Sequence, residues 1–172
     1  MDISEKNNSD FENIEIRMKE QLYLAEILTK YGLLRKNALV LTNDLETKKP
    51  LKAILKDSRV ELPQFPEKSL QSLNNLLSNK INPLEILDND TDKCKKILKI
   101  LDSEKFFDFF IILLTSQASS YALETAQLIS KLNKPVLSCF IGDNLENARK
   151  FMDEKKMIHF ENISDLKVLK HL

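Results

Sequence analysis

Thr115-Ser116-Gln117-Ala118-Ser119-Ser120 is the stretch of this chain whose side chains are best suited to binding chemistry. Small hydroxyls and a carboxamide are the groups that hold an anion. They stand directly before a helical pattern, whose unpaired amides and dipole favour negative charge. The same residue types also cap a buried helix with no ligand present, so both uses stay open. The remaining reactive side chains are few: two histidines, His159 and His171, and two cysteines, Cys94 and Cys139. His159 lies in the apolar run Met157–Phe160, the setting of a partly buried structural histidine, and His171 is expected in solvent near the carboxyl terminus. Cys139 alternates with strand neighbours and reads as a small core residue, without the nearby base a nucleophile needs. Cys94 stands among Lys93, Lys95 and Lys96, which would lower its pKa if they reached it. A core-facing position between solvated lysines explains that pattern more simply. Asp88, Asp90 and Asp92 alternate like metal ligands, but no glycine or downstream glutamate completes a calcium loop, and a solvated helix entry accounts for them. No catalytic residue and no metal site is assigned.

The elements that must position the Thr115–Ser120 turn are plain. Phe106–Leu114 is nearly continuous apolar sequence, the pattern of a central parallel strand covered on both faces. After the turn, Ala122, Ala126, Ile129 and Leu132 mark one face of a helix, and Lys134-Pro135 breaks it before a second apolar strand, Pro135–Ile141. Strand, turn, helix and strand make a right-handed βαβ unit. Open parallel sheets bind ligands just past the carboxyl ends of their strands, which is where this turn falls.

Residues 1–10 are polar and are expected to be a disordered tail. Residues 11–34 form an added amino-terminal helix, with Phe11, Ile14, Met18, Leu22, Ala25 and Leu28 as its apolar stripe, Leu24 and Ile27 beside it, and Gly32 ending it. Residues 35–172 form the main domain. Its first strand is Asn37–Thr42. A short helix starts at Pro50, and a second strand follows at Val60–Leu62. Another helix opens at Pro66-Glu67, and residues 81–90 read as a loop. A helix capped by Asp90 or Thr91 then buries Cys94, Ile97, Leu98 and Leu101. Asp143 and Glu146 resemble a capping box, Met157–Phe160 is a last strand, and a final helix starts near Asn162. Five strands alternating with helices predict an α/β fold: a three-layer flavodoxin-like sandwich around a five-stranded parallel sheet.

Composition narrows the function. Twenty-six basic and twenty-six acidic residues cancel, so no global field draws the chain to nucleic acid, and Lys93–Lys99 is an ordinary solvated helix face. No run reaches the ~20 apolar residues of a membrane span, and residues 1–10 lack the pattern of a secretory signal, which predicts a cytoplasmic protein with reduced thiols. Glycine is scarce: two residues, Gly32 and Gly142, where ordinary usage of about 7% would supply about a dozen. Loops that wrap phosphate in backbone need glycine for close approach or positive φ.

With the elements in order, the chain resembles the ligase domain of ADP-forming acyl-CoA synthetases, relatives of the carboxyl-terminal domain of the succinyl-CoA synthetase β subunit. The likeness rests on Ala38-Leu39-Val40-Leu41-Thr42-Asn43, Val60-Glu61-Leu62, Asn82-Pro83-Leu84-Glu85-Ile86-Leu87, and Phe107–Thr115 with Gln117-Ala118, Lys134-Pro135-Val136-Leu137 and Gly142. The resemblance implies that a helix amino terminus in this domain receives phosphate from a histidine carried on another domain. It places that role on Thr115, Ser116, Gln117, Ser119 and Ser120, with Asn43 and Asn82 on neighbouring loops of the same sheet edge. Read by residue type alone, Asn43 and Asn82 are ordinary turn or cap residues. CoA, ADP or phosphate are the ligands the family would suggest; none is assigned. Where active relatives carry a glycine-rich run after Thr-Asn, this chain has Asp44-Leu45-Glu46-Thr47-Lys48. The family's histidine-bearing, CoA-binding and ATP-grasp domains have no counterpart in these residues. The expected function is therefore a non-catalytic protein-interaction or regulatory module, a degenerate stand-alone copy that meets other protein subunits. The alternatives are a small subunit of a split acyl-CoA synthetase, or a sensor that binds CoA or a nucleotide without reacting.

Overall fold

Alternation along the central strand decides the architecture. In the computed structural model, which describes residues 36–77 and 80–171 and, nearer the amino terminus, residues 15, 18, 19, 21, 22, 25–27, 29 and 30, that strand runs from Phe109 to Thr115. Phe109, Ile111 and Leu113 face one layer, Phe110, Ile112 and Leu114 the other, and all six are fully buried. Each such side chain contributes ~1.5–3 kcal/mol by leaving water.

The strands are β1 (Lys36–Thr42), β2 (Val60–Glu61), β3 (Leu84–Glu85), β4 (Phe109–Thr115), β5 (Val136–Ile141) and β6 (Ile158–Phe160). The helices are α1 (Lys48–Leu55), α2 (Glu67–Ser72), α3 (Thr91–Asp102), α4 (Ala122–Ile129) and α5 (Glu146–Glu154). Strand order is β2-β1-β4-β5-β6, with β3 also pairing β1, and every pairing is parallel. One layer holds Ile97, Leu98 and Leu101 of α3, Ala122, Ala126 and Ile129 of α4, and Ala148 and Met152 of α5. The opposite layer holds Leu51 and Leu55 of α1, Ile27, and Leu166, Val168 and Leu169 of the final segment. This is the three-layer α/β sandwich the pattern predicts.

Several details differ from the expectation. Residues 81–90, read as loop, contain β3, a two-residue segment too short to carry a periodic signal. Phe106 and Phe107 lie before the central strand, in an aromatic chain with Phe65 and Phe110 whose successive ring centroids are 4.9–5.1 Å apart. Asp143 does not cap α5: the helix starts after Leu145 with no side-chain cap, because Gly142 and Asn144 take φ of 103° and 60° and turn the loop first. Asp90 does cap α3, accepting the Lys93 amide at 3.0 Å. Ile163–His171 is a 3₁₀ helix rather than an α-helix.

The expected tail, residues 1–10, lies outside the described residues, as does Gly32. The described residues between 15 and 30 are helical. Their inward anchor is Ile27, at 0% exposure, whereas Met18 and Leu22 from the expected stripe stand at 59% and 62%. Ile27, beside the expected stripe, is thus turned to the body, while Met18 and Leu22 are turned outward.

Candidate functional site

The carboxyl ends of β1, β4 and β5 form the edge where the sequence places a site. At the end of β1, Thr42 Oγ1 accepts the Asp44 amide at 3.0 Å and lies 3.2 Å from Thr47 Oγ1, which donates to the Asp44 carbonyl at 2.6 Å. Thr42 is fully buried and Thr47 nearly so. The Asp44 carboxylate accepts the Glu46 amide at 2.9 Å and starts the 3₁₀ turn Leu45–Thr47. Hydroxyls thus close the loop on itself, doing with side chains what a glycine-rich loop does with bare backbone.

Asn43 and Thr115 come together across β1 and β4. Asn43 Oδ1 accepts the Thr115 amide at 2.8 Å, and Asn43 Nδ2 donates to Thr115 Oγ1 at 3.0 Å. The carboxamide therefore adds a rung to the parallel ladder beyond its last backbone pair, Thr42 with Leu113. Ser116, Gln117, Ser119 and Ser120 are exposed around the next turn. Two amides there are spent internally, Ser119 on the Ser116 carbonyl at 3.1 Å and Tyr121 on the Ala118 carbonyl at 3.0 Å. The helix expected after the turn begins at Ala122, the first residue of its predicted apolar face, without a side-chain cap.

Asn82 is not on this edge. It fills the gap between β2 and β3 on the outer side of β1, taking the Val40 amide at 3.0 Å on Oδ1 and giving Nδ2 to the Ala38 carbonyl at 2.8 Å. These are the hydrogen bonds a continuous edge strand would make, so one side chain substitutes for the missing residues.

Three further residues shape the edge. Gly142, past β5, is where a Cβ would come within 3.0 Å of Ser116 Cβ, so its lack of a side chain lets the β4 and β5 loops meet. Arg149 sends Nη2 to the Phe140 and Gly142 carbonyls at 2.8 and 2.7 Å, beyond the point where β6 ends. Tyr121 donates to the Leu87 carbonyl at 3.0 Å. Burial first, then Asp88 and Cys94, raise its phenol pKa, while the Asn43 side chain pulls it down. Neither Tyr121 nor Arg149 stands out in the sequence: a lone tyrosine after two serines and an arginine on a helix carry no periodic signal.

The other reactive groups lie elsewhere. Cys94 Sγ donates to the Ile86 carbonyl at 2.7 Å. Burial pushes its pKa up to about 11, the Asp88 backbone pulling it down and the Asp88 carboxylate adding to the rise, so its lysine neighbours in sequence do not lower it. Burial pushes the Cys139 thiol to about 12. His159, level with Ser138 in mid-β5, pairs with Asp153 at 2.9 Å, and its Nδ1 is buried without a partner. A groove of about 780 Å³ runs beside that pair, lined by Leu22, Ala25, Glu26, Thr29, Asp153 and His159 among others. Among the described residues no three His, Cys, Asp or Glu side chains could hold a metal ion together, and no helix is long and apolar enough to cross a membrane.

No family model matches the sequence, and no curated protein is similar to it. Solved structures are. PH0766 from Pyrococcus horikoshii OT3 superposes with a TM-score of 0.62 at 17% identity, covering 78% of this chain and 34% of that one. The dinucleotide-forming acetyl-coenzyme A synthetase 1 of Candidatus Korarchaeum cryptofilum, solved with phosphate and ADP, superposes with a TM-score of 0.63 at 16% identity, covering 78% of this chain and 31% of that one. At these identities the likeness is one of fold. The shared fold is a flavodoxin-like α/β sandwich with a parallel sheet. The chain spans about a third of each neighbour.

Proposed function

We propose that this chain is a ligase-fold domain without catalysis of its own, which works through contacts with other proteins. The observation that supports this most is the double hydrogen bond between Asn43 and Thr115, which commits both side chains to holding the sheet edge closed. Thr42 and Thr47 spend their hydroxyls on each other and on Asp44 in the loop after β1, and Arg149 is engaged with two carbonyls. In the family this chain resembles, the phosphoryl-carrying histidine stands on another domain, so this chain would bring no carrier of its own to the edge. His159 sits in mid-sheet, bound to Asp153. The 780 Å³ groove lies on the β6 flank and not at the carboxyl edge.

A second reading, a split-synthetase subunit or a sensor for CoA or a nucleotide, draws on the exposed Ser116, Gln117, Ser119 and Ser120 and on the phosphate and ADP of the synthetase neighbour. Thermal unfolding with CoA, ADP and phosphate separates the readings. A ligand at 100 times its Kd stabilises by about 2.7 kcal/mol. We expect no shift with any of the three, and no CoA-dependent ADP/ATP exchange. A shift that disappears in Ser119→Ala/Ser120→Ala would establish a working anion site and overturn the proposal.

A further inference from the structure

We infer that α1 and the groove beside it take up an extended acidic segment of another protein, its carboxylates on the α1 lysines and an apolar side chain in the groove. Lys48, Lys52 and Lys56 follow at i, i+4 and i+8, and Lys56, the C-cap residue, keeps helical backbone, so the three stand in one row. Among the described residues none forms an ion pair with them. Like charges at this spacing repel and cost a helix stability. Lys48 and Lys49 also occupy the first turn, where the dipole disfavours cations, and that turn carries no acidic residue. The helix is thus charged against its own stability, a conflict that an anionic partner resolves. The other lysine-rich helix shows no such conflict. Asp90 caps α3, Asp92 lies in its first turn and Lys99 in its last, and Lys93 pairs with Asp88.

Lys52 also lines a groove of about 510 Å³, together with Leu62, Phe65, Leu70 and Ile81. Phe65 is buried, Leu62 and Leu70 are half-buried, and Ile81 stands 65% exposed. The described lining holds no carboxylate. Its second cation, Lys80, donates to the Asn74 carboxamide, a neutral partner that leaves the charge uncompensated. In an extended chain, alternate side chains share one side at about 6.5 Å intervals. Lysines one helical turn apart are separated by a similar distance, about 5–6 Å. Carboxylates at two alternate positions therefore meet Lys52 and Lys56, and an apolar residue at the next same-side position reaches the groove. Nucleic-acid phosphates would suit the lysines but not the groove, whose aromatic ring is buried and offers no face to a base. Exposed ion pairs and one apolar anchor make a small interface, so micromolar, salt-sensitive binding is the scale to look for.

The inference names the chemistry of a partner within the interaction reading and rests on that reading for the premise that contacts are the chain's work. Thermal shifts with CoA, ADP and phosphate judge the closed edge, and peptide binding judges α1, so either can fail alone. The test is fluorescence anisotropy of the full chain with a labelled peptide repeating glutamate, serine, glutamate, serine, leucine, serine. Saturable micromolar binding that weakens with salt is expected. Lys52→Glu and Lys56→Glu should each weaken it about tenfold, with unchanged far-UV circular dichroism, because attraction becomes repulsion. Ile81→Ser should weaken it several-fold through the groove alone. The same charge reversal on α3, Lys95→Glu/Lys99→Glu, should leave it unchanged. No binding at millimolar peptide overturns the inference, and so does binding indifferent to Lys52→Glu or to Ile81→Ser. Equal binding of a glutamate–serine peptide without leucine, or of oligothymidylate, overturns it too, since the row would then be a general anion surface.

Discussion

The two flanks of the sheet solve one problem in different solvents. On the outer side of β1, the edge strand is interrupted between β2 and β3, and the Asn82 carboxamide supplies the missing donor and acceptor to Ala38 and Val40. Beyond β6 the ladder on β5 also runs out, and Arg149 answers the Phe140 and Gly142 carbonyls. Asn82 is buried at 9% exposure, and both of its bonds to β1 are buried; Arg149 works where the backbone is partly wet. Backbone groups at a ladder end always need partners, but what a partner is worth depends on whether water can replace it.

The largest effect should come from Asn82→Ala. It strands a buried amide and a buried carbonyl at once, each costing about 1–3 kcal/mol, so we expect a loss of about 3 kcal/mol in urea unfolding. Asn82→Asp should do no better, since a carboxylate can accept from Val40 but cannot donate to Ala38 and would bury a charge. A loss below about 1 kcal/mol would mean water reaches this flank as freely as the other.

Alkaline pH probes the dry interior on both sides of the sheet. Cys94, tied to the residue after β3, and Cys139, on β5, have thiols raised from 9.0 to about 11 and about 12 by burial. Folding favours the neutral thiol, so this stabilisation is complete below pH 9 and is lost as pH rises towards the folded values. Each unfolded thiol is half ionised at pH 9, so the slope has not yet reached its limit of about 1.4 kcal/mol per pH unit, and the two thiols together lose about 2 kcal/mol between pH 9 and 10. Cys94→Ala/Cys139→Val should flatten that slope, and neither thiol should react with a disulfide reagent at neutral pH until the chain unfolds. Fast labelling of Cys94 in the native state would show the β1 flank opening locally.

What the sequence disclosed follows from where the signal lies. The run from Phe109 to Thr115 is long and apolar enough to announce a strand buried on both faces, and the βαβ unit around it follows from that. Asn82 sits before a proline in a polar stretch and reads as a turn; its work depends on a gap between two-residue strands that leave no period behind. Asn43 and Thr115 both stand out in the sequence, but their mutual bond spans 72 residues and belongs to strand register. The amino-terminal helix shows a further limit. Periodicity finds the Met18–Leu22–Ala25 stripe, yet cannot say whether it meets the chain's own core, and the body is held by Ile27 instead.

The smallest effect belongs to Arg149→Met. Methionine keeps an unbranched stem of similar length while removing both bonds, to the Phe140 and Gly142 carbonyls. Bonds from a charged donor are worth about 1.5–3 kcal/mol in dry surroundings, but here water can take over at least the Gly142 carbonyl. The substitution also removes Arg149 Nε, which is buried without a partner, and so relieves a liability as it deletes a bond. These terms oppose each other, and we expect a net loss of about 1 kcal/mol, near a third of that for Asn82→Ala. Parallel urea titrations of the two variants decide the point. Equal losses would mean that the β6 flank is as dry as the β1 flank and that solvent access does not set the difference between them.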